Sequence, residues 1–263
     1  MRLSAVVQVV LAPNPGLMTG PGTNTYVVGS GPAVVIDLAV DDDDYMRSLL
    51  TAAGEVSTIL ITHRHGDHTG GAARLSALTG APVRAWGSDV AGEADVVPLN
   101  DGETVAAGGA VLETLHTPGH ASDHLCFALQ GTRSIFSGDI ILGEGTSVIA
   151  PPDGNMRDFL ASLARLAGLQ VDRIYPGHFR SLDGGAEVID ALLAHRAARG
   201  AAIEAALQRG PLRPDEVVEV VYSDTPVALH PVAIGSVLAH LEMLEESGTV
   251  RCVDDRWGLV ARR

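Results

Sequence analysis

Between Ile61 and Gly71 the chain reads ITHRHGDHTGG, which places His63, His65, Asp67 and His68 within six positions of a sequence that has ten histidines in all. The apolar, β-branched run Ser57–Thr62 reads as a strand leading into this segment, and Ala72–Leu78 reads as the helix that follows it. Gly66 lets the backbone leave the strand so that Asp67 and His68 turn toward the same space. Gly70 and Gly71 then allow close backbone approach at the start of the helix. Neutral imidazole and carboxylate are ligands for zinc, iron or manganese, and the absence of a nearby thiolate disfavours metals that need soft donors. One short loop does not complete a coordination sphere, so further donors must come from later turns. TPGHASDH offers His120 after the strand Val111–His116, SGDIILGEGTS offers Asp139 after Ser134–Ser137, and YPGHF offers His178 after Arg173–Tyr175. Each follows the C-terminal end of a strand, and such loops converge on one rim of an α/β core.

The other histidines set the contrast. His116, His195, His230 and His240 lie in strand or helix contexts without companion donors and read as ordinary core or surface residues. Asp123 and His124 read as partners that support metal ligands through hydrogen bonds. Asp37, which closes the strand AVVID, reads either as such a support or as a turn-forming residue.

The surrounding chain has an α/β grammar. Ser4–Leu11, Thr25–Val28 and Ala33–Leu38 read as antiparallel strands, and the acids Asp41 to Asp44 read as the solvated first turn of a helix. The middle repeats the pattern in mirrored form, with strands at 111–116, 124–129, 134–137 and 173–175, a helix at Met156–Ala167 and a long helix at about Gly185–Gln208. After GPLRP come two helices, near Asp215–Tyr222 and Pro231–Glu246, and a hairpin turning at Asp254 and Asp255, which suggests a winged-helix-like module. The expected division is a catalytic domain over residues 1–200 and the module over 201–263. No stretch is expected to reach the roughly 20 apolar residues that a bilayer span needs.

Composition narrows the chemistry. A formal charge of −14 opposes nonspecific attraction to nucleic acid and anionic membranes. All eighteen basic residues are arginine, which excludes Schiff-base lysine chemistry and a P-loop lysine. Cys126 and Cys252 match no disulfide framework, and the N-terminal apolar run has no small-x-small cleavage site, so a reducing, cytoplasmic location is expected. The helix Pro231–Glu246 holds neither Arg nor Lys, so duplex DNA reading is not expected; packing on the catalytic domain or on a partner subunit, in a homodimer, is.

With His63, His65, Asp67 and His68 in place, the sequence resembles the metallo-β-lactamase superfamily, whose hallmark is HxHxDH, over most of Met1–Arg199. The resemblance implies a four-layer αββα sandwich with two divalent metal ions, zinc first and manganese or iron as alternatives. His63, His65 and His120 would hold one, Asp67, His68 and His178 the other, and Asp139 would bridge them. Within that superfamily, flavodiiron oxidoreductases carry Glu in the place of His65, true lactamases lack the bridging Asp139, and large nucleic-acid processors carry an inserted domain. GTNTY at Gly22–Tyr26, SGDIILGEGTS at Ser137–Ser147, YPGH at Tyr175–His178 and the tail resemble the β-lactamase-like endoribonuclease family of mitochondria and its bacterial relatives. That likeness implies hydrolysis of phosphodiesters in single-stranded RNA; the alternatives are a thioester, lactone or other acyl-ester hydrolase like glyoxalase II, and a noncatalytic metal-stabilised scaffold. Phe179 departs from the pattern, which has a small residue there. Asn24, Thr146 and Arg180 are the expected substrate contacts. Asp67 is the expected catalytic residue, orienting a bridging water whose pKa two metals lower to about 7 and accepting its proton.

Overall fold

The central strands of the fold are largely apolar runs covered on both faces. The computed structural model describes residues 7–87 and 95–260, so residues 4–6 of the expected first strand lie outside the described residues. Strands β1 (Val7–Leu11), β2 (Asn24–Val28), β3 (Ala33–Ile36), β4 (Val56–Leu60), β5 (Val83–Ala85) and β6 (Val96–Pro98) neighbour one another in that order in a six-stranded sheet. The first three pair antiparallel and the rest parallel. Strands covered on both faces are continuously apolar, and all four residues of β3, AVVI, are buried. Side chains alternate across the sheet. Val35 and Ile59 join Met46, Leu49 and Leu75 of helices α1 (Asp43–Ala53) and α3 (Ala72–Thr79), which lie before and after the one-turn helix α2 (Gly66–Thr69). Val34, Ile36 and Leu60 face the other way, against Leu112, Phe127 and Phe136. A fully buried side chain of that size contributes about 1.5–3 kcal/mol.

Those last three residues belong to a second six-stranded sheet, built from β7 (Thr104–Ala107), β8 (Ala110–His116), β9 (Leu125–Leu129), β10 (Ser134–Gly138), β11 (Arg173–Pro176) and β12 (Leu182–Asp183). It too starts as an antiparallel meander and gains a parallel pair, β10 with β11, after a crossover. The mirrored grammar of the sequence is thus two sheets packed face to face. Strands β6, β7 and β12 have no counterpart in the sequence reading because they are two to four residues long, too short to establish a period. The acidic run behaves as expected: the Asp42 carboxylate accepts the Tyr45 N–H at 2.9 Å, Asp43 and Asp44 occupy the first turn, and Gly54 at φ 67° ends α1.

The chain divides into two compact units, and the two sheets with α1 to α3 make the first. The second holds α4 (Met156–Ala167), nearly all of α5 (Gly185–Leu207), α6 (Pro214–Val221), α7 (His230–Glu246) and the hairpin β13 (Val250–Val253) and β14 (Arg256–Leu259). Ile203 and Leu207 of α5, Val217 and Val218 of α6, Val237 and Leu241 of α7 and Trp257 of β14 form its core. One expectation is corrected here: Val227–Glu246 does have the length and mean hydropathy, 1.5, of a bilayer span. Within it 39% of the most apolar stretch is buried, and Val237 and Leu241 are fully buried in the core of the second unit.

His240 on α7 is buried, and neither ring nitrogen has a hydrogen-bond partner among the described residues. Burial, then the charges of Arg196 and Arg199, push its pKa down to about 4. The unfolded chain binds a proton near pH 6.5 that the folded one refuses until about pH 4, so stability falls as pH drops through that window, by up to about 3 kcal/mol. His240→Leu should flatten this slope. Urea midpoints at pH 7 and pH 4.5 check it, and equal pH dependence in both proteins would count against it.

Candidate metal centre

Strand β4 delivers Ile61 and Thr62 into the HxHxDH loop, and Asp37 fixes where it ends. Asp37, at φ 60°, follows β3 and is buried; its Oδ1 accepts the Thr62 N–H at 2.8 Å and its Oδ2 accepts the Thr62 hydroxyl at 2.8 Å. The same Oδ2 accepts His68 Nδ1–H at 2.7 Å. The Thr62 oxygen, having given its proton to Asp37, accepts His63 Nδ1–H at 2.9 Å. Both imidazoles therefore carry their proton on Nδ1 and present the Nε2 lone pair, the state that a ligand requires. The turn and support readings of Asp37 hold together.

The ring nitrogens then meet one another. His63 Nε2 lies 2.9 Å from His65 Nδ1, and His68 Nε2 lies 3.3 Å from His178 Nε2. Around the second pair stand Asp67 Oδ2, 3.3 Å from His178 Nε2, and the two Asp139 oxygens, 3.5 Å from His68 Nε2 and 3.4 Å from His178 Nε2. Two sets of side chains in the first unit each bring ligand atoms within 4.8 Å of one another: His63, His68 and Asp139; and Asp67, His68 and His178. Five of the seven expected ligands are among them, and His65 stands beside His63. His120 Nδ1 donates to the Val148 carbonyl at 2.7 Å, with Ser147 Oγ at 3.2 Å, which again leaves Nε2 as the lone-pair nitrogen.

Electrostatics favours positive charge at this place. Burial opposes ionisation of Asp139, yet the His68 charge and hydrogen bonds from His178 and His68 hold its carboxyl well below the usual range. Burial disfavours a charged His68, yet Asp139 and Asp37 raise it well above an ordinary histidine, and hydrogen bonds to Asp139 and Asp67 lift His178 to about 9 against the same burial. Protons here answer the same need as a divalent cation: facing imidazole lone pairs beside carboxylates repel unless a positive charge lies between them. The donor set fits a metal.

Close packing seats these groups. Gly138 has φ 46°, and a Cβ there would lie 2.6 Å from His124 Nε2; a Cβ on Gly177 would lie 2.5 Å from Asp139 Oδ1. His124 Nε2 accepts the Asp139 N–H at 3.0 Å while Nδ1 meets Thr117 Oγ1 at 3.1 Å, which is the supporting part expected of it. Asp123 accepts from Arg64 Nε at 3.3 Å. Asn24 spends its amide N–H groups on the carbonyls of Pro176, at 3.0 Å, and Phe179, at 2.7 Å, so its side chain ties down the turn that carries His178. Phe179 takes φ 67° and sets its ring against Gly20. Thr146 is half-buried and Arg180 exposed. Sequence reasoning overlooked Thr62, adjacent to His63, and the Val148 carbonyl, for which no side-chain signal exists.

The model of the metallo-beta-lactamase superfamily matches residues 18–178, more than half of the chain. The chain belongs to the metallo-beta-lactamase superfamily. Members of this superfamily are generally hydrolases, and the chain is one of them, with the α/β metallo-β-lactamase fold. Residues 214–257 match the beta-lactamase associated winged helix domain, so the helices and hairpin of the tail are that domain. A beta-lactamase-like protein 2 homolog of Caenorhabditis elegans is 34% identical over 95% of this chain and 87% of its own length. The atrochrysone carboxyl ACP thioesterase dmxR1 of Cryptosporiopsis sp. is 34% identical over 67% of this chain and 55% of that protein. Among solved structures, a metallo-beta-lactamase family protein of Thermus thermophilus superposes with a TM-score of 0.83 at 25% identity, covering 97% of this chain and 98% of that one.

Proposed function

We propose that this superfamily member is a dinuclear hydrolase in which His63, His65 and His120 hold one divalent cation, Asp67, His68 and His178 a second, and Asp139 stands between them. The observation that carries the reading is the grouping of Asp139 with His63 and His68, one histidine from each set. Zinc suits a donor set of imidazole and carboxylate without thiolate. Two such cations would supply Lewis acidity and lower the pKa of bound water to about 7. Asp67, held ionised by His178 and His68 despite partial burial, has a carboxylate oxygen that would orient a reacting water and accept its proton. Residues 1–200 carry this chemistry, and residues 201–263 form the accessory module.

The substrate is an acyl compound, a thioester first. Support comes from the thioesterase relative and from the charge of −14, which opposes a polyanion. Single-stranded RNA is the second reading, favoured by the likeness of GTNTY, SGDIILGEGTS and YPGH to the endoribonuclease family. Zinc-loaded protein incubated with acyl-glutathione, a lactone ester and single-stranded RNA should hydrolyse the thioester. Turnover of RNA alone would overturn the acyl reading.

A further inference from the structure

Arg196 on α5 is 2% exposed and pairs with no carboxylate among the described residues. Its guanidinium carbon lies 5.0 Å from the centre of the Phe159 ring, and Nε has no hydrogen-bond partner. A buried, uncompensated charge is destabilising, and an apolar residue of the same volume would serve the core better. What Arg196 does make is a hydrogen bond from Nη2 to the Ser147 carbonyl. Ser147 is itself buried, and with Val148 it supplies the two oxygens that face His120 Nδ1. Helix α7 reaches the next residues of the same turn: Ser236 Oγ accepts the Ile149 N–H at 3.5 Å, and a Cβ on Gly235 would stand 2.8 Å from Ala150 Cβ.

The geometry points to Arg196 as a positioning residue, which with Ser236 and Gly235 braces the turn 147–150 so that the Val148 carbonyl holds the His120 ring with its Nε2 lone pair presented to a divalent cation. This rests on His120 being a metal ligand. It gives the C-terminal helix α7 a task in the metal site, distinct from binding substrate or nucleic acid. Arginine suits the task because its planar fork delivers a donor from a fixed direction, which a lysine ammonium does not.

The test reads metal affinity and not turnover. Zinc titration of the metal-free full chain against a competing chelator should give two equivalents for the wild type. In Arg196→Met one equivalent should weaken about 10- to 100-fold while the other stays, and the urea midpoint should stay close to wild type because a buried charge has been removed together with its bond. Arg196→Lys should recover part of the loss. Gly235→Ala pushes on the turn from α7, where its Cβ would meet Ala150 Cβ; this overpacking should lower the urea midpoint while the protein still folds, and weaker binding of the same equivalent with the other unchanged separates positioning from a general loss of fold. Gly235→Ala decides the matter if Arg196→Met does not fold. Unchanged affinity at both equivalents in the folded variants overturns the brace and leaves the dinuclear reading standing, whereas a wild type that binds no zinc overturns the dinuclear reading itself.

Discussion

Asp67→Asn is expected to give a folded protein whose kcat falls about a hundred- to ten-thousandfold, the range for losing a positioned general base. Two carboxylates share the pocket, and their exposure assigns the roles. The Asp139 side chain is 11% exposed and faces His68 and His178 with its two oxygens, so it is committed to the interior of the cluster. The Asp67 side chain is 31% exposed and touches His178 through Oδ2, so its carboxylate is open in part to solvent. Asparagine keeps the volume and one oxygen but has neither charge nor basicity. Its amide also offers an N–H to His178 Nε2, the lone pair that a cation needs, so occupancy of that position should fall as well. Parallel measurement of kcat, KM and bound metal by elemental analysis checks both effects. A kcat within tenfold of wild type, with both equivalents of metal retained, would remove Asp67 from the proton-transfer role.

The candidate ligands were legible in the sequence because coordination chemistry restricts residue type: His63, His65, Asp67, His68, His120, Asp139 and His178 each stand in a loop after an apolar run, and the structure groups His63 with His68 and Asp139, and Asp67 with His68 and His178. The groups that aim those ligands were less legible, since they depend on how distant strands end beside one another. Asp37 and His68 are 31 positions apart, and only the parallel pairing of β3 with β4 brings the carboxylate beneath the loop. Ser147 and His120 are 27 apart, and the Val148 group that holds His120 is a backbone carbonyl, which no residue type announces. The strand β7 could have been inferred from Gly108 and Gly109, which make a two-glycine turn between TVAA and AVLETLH. Asn24 shows the converse: placed in a loop that suggests substrate contact, it is consumed by the carbonyls of Pro176 and Phe179.

Asp37→Asn should separate folding from metal binding more sharply than any ligand substitution. Asparagine tolerates the left-handed backbone at φ 60° nearly as well as aspartate, and its carbonyl oxygen can still accept the Thr62 N–H, so the end of β4 keeps its anchor. The other position of the side chain now holds an amide N–H₂ where Oδ2 accepted from both the Thr62 hydroxyl and His68 Nδ1. Two donors then confront each other at His68, and the ring escapes only by moving its proton to Nε2, which removes the lone pair from the cluster. The Thr62 hydroxyl is freed at the same time, so His63 Nδ1 loses a fixed acceptor. Metal affinity should therefore fall about 10- to 100-fold, with the larger loss at the position that His68 serves. Competitive zinc titration measures it, and long-range proton–nitrogen spectra of the metal-free protein, recorded at a pH above the raised His68 titration, should show the His68 proton shifted from Nδ1 in the wild type to Nε2 in the variant. Wild-type affinity in a variant whose His68 proton has moved would mean that His68 is not a ligand; wild-type affinity with the proton still on Nδ1 would mean that Asp37 does not control it.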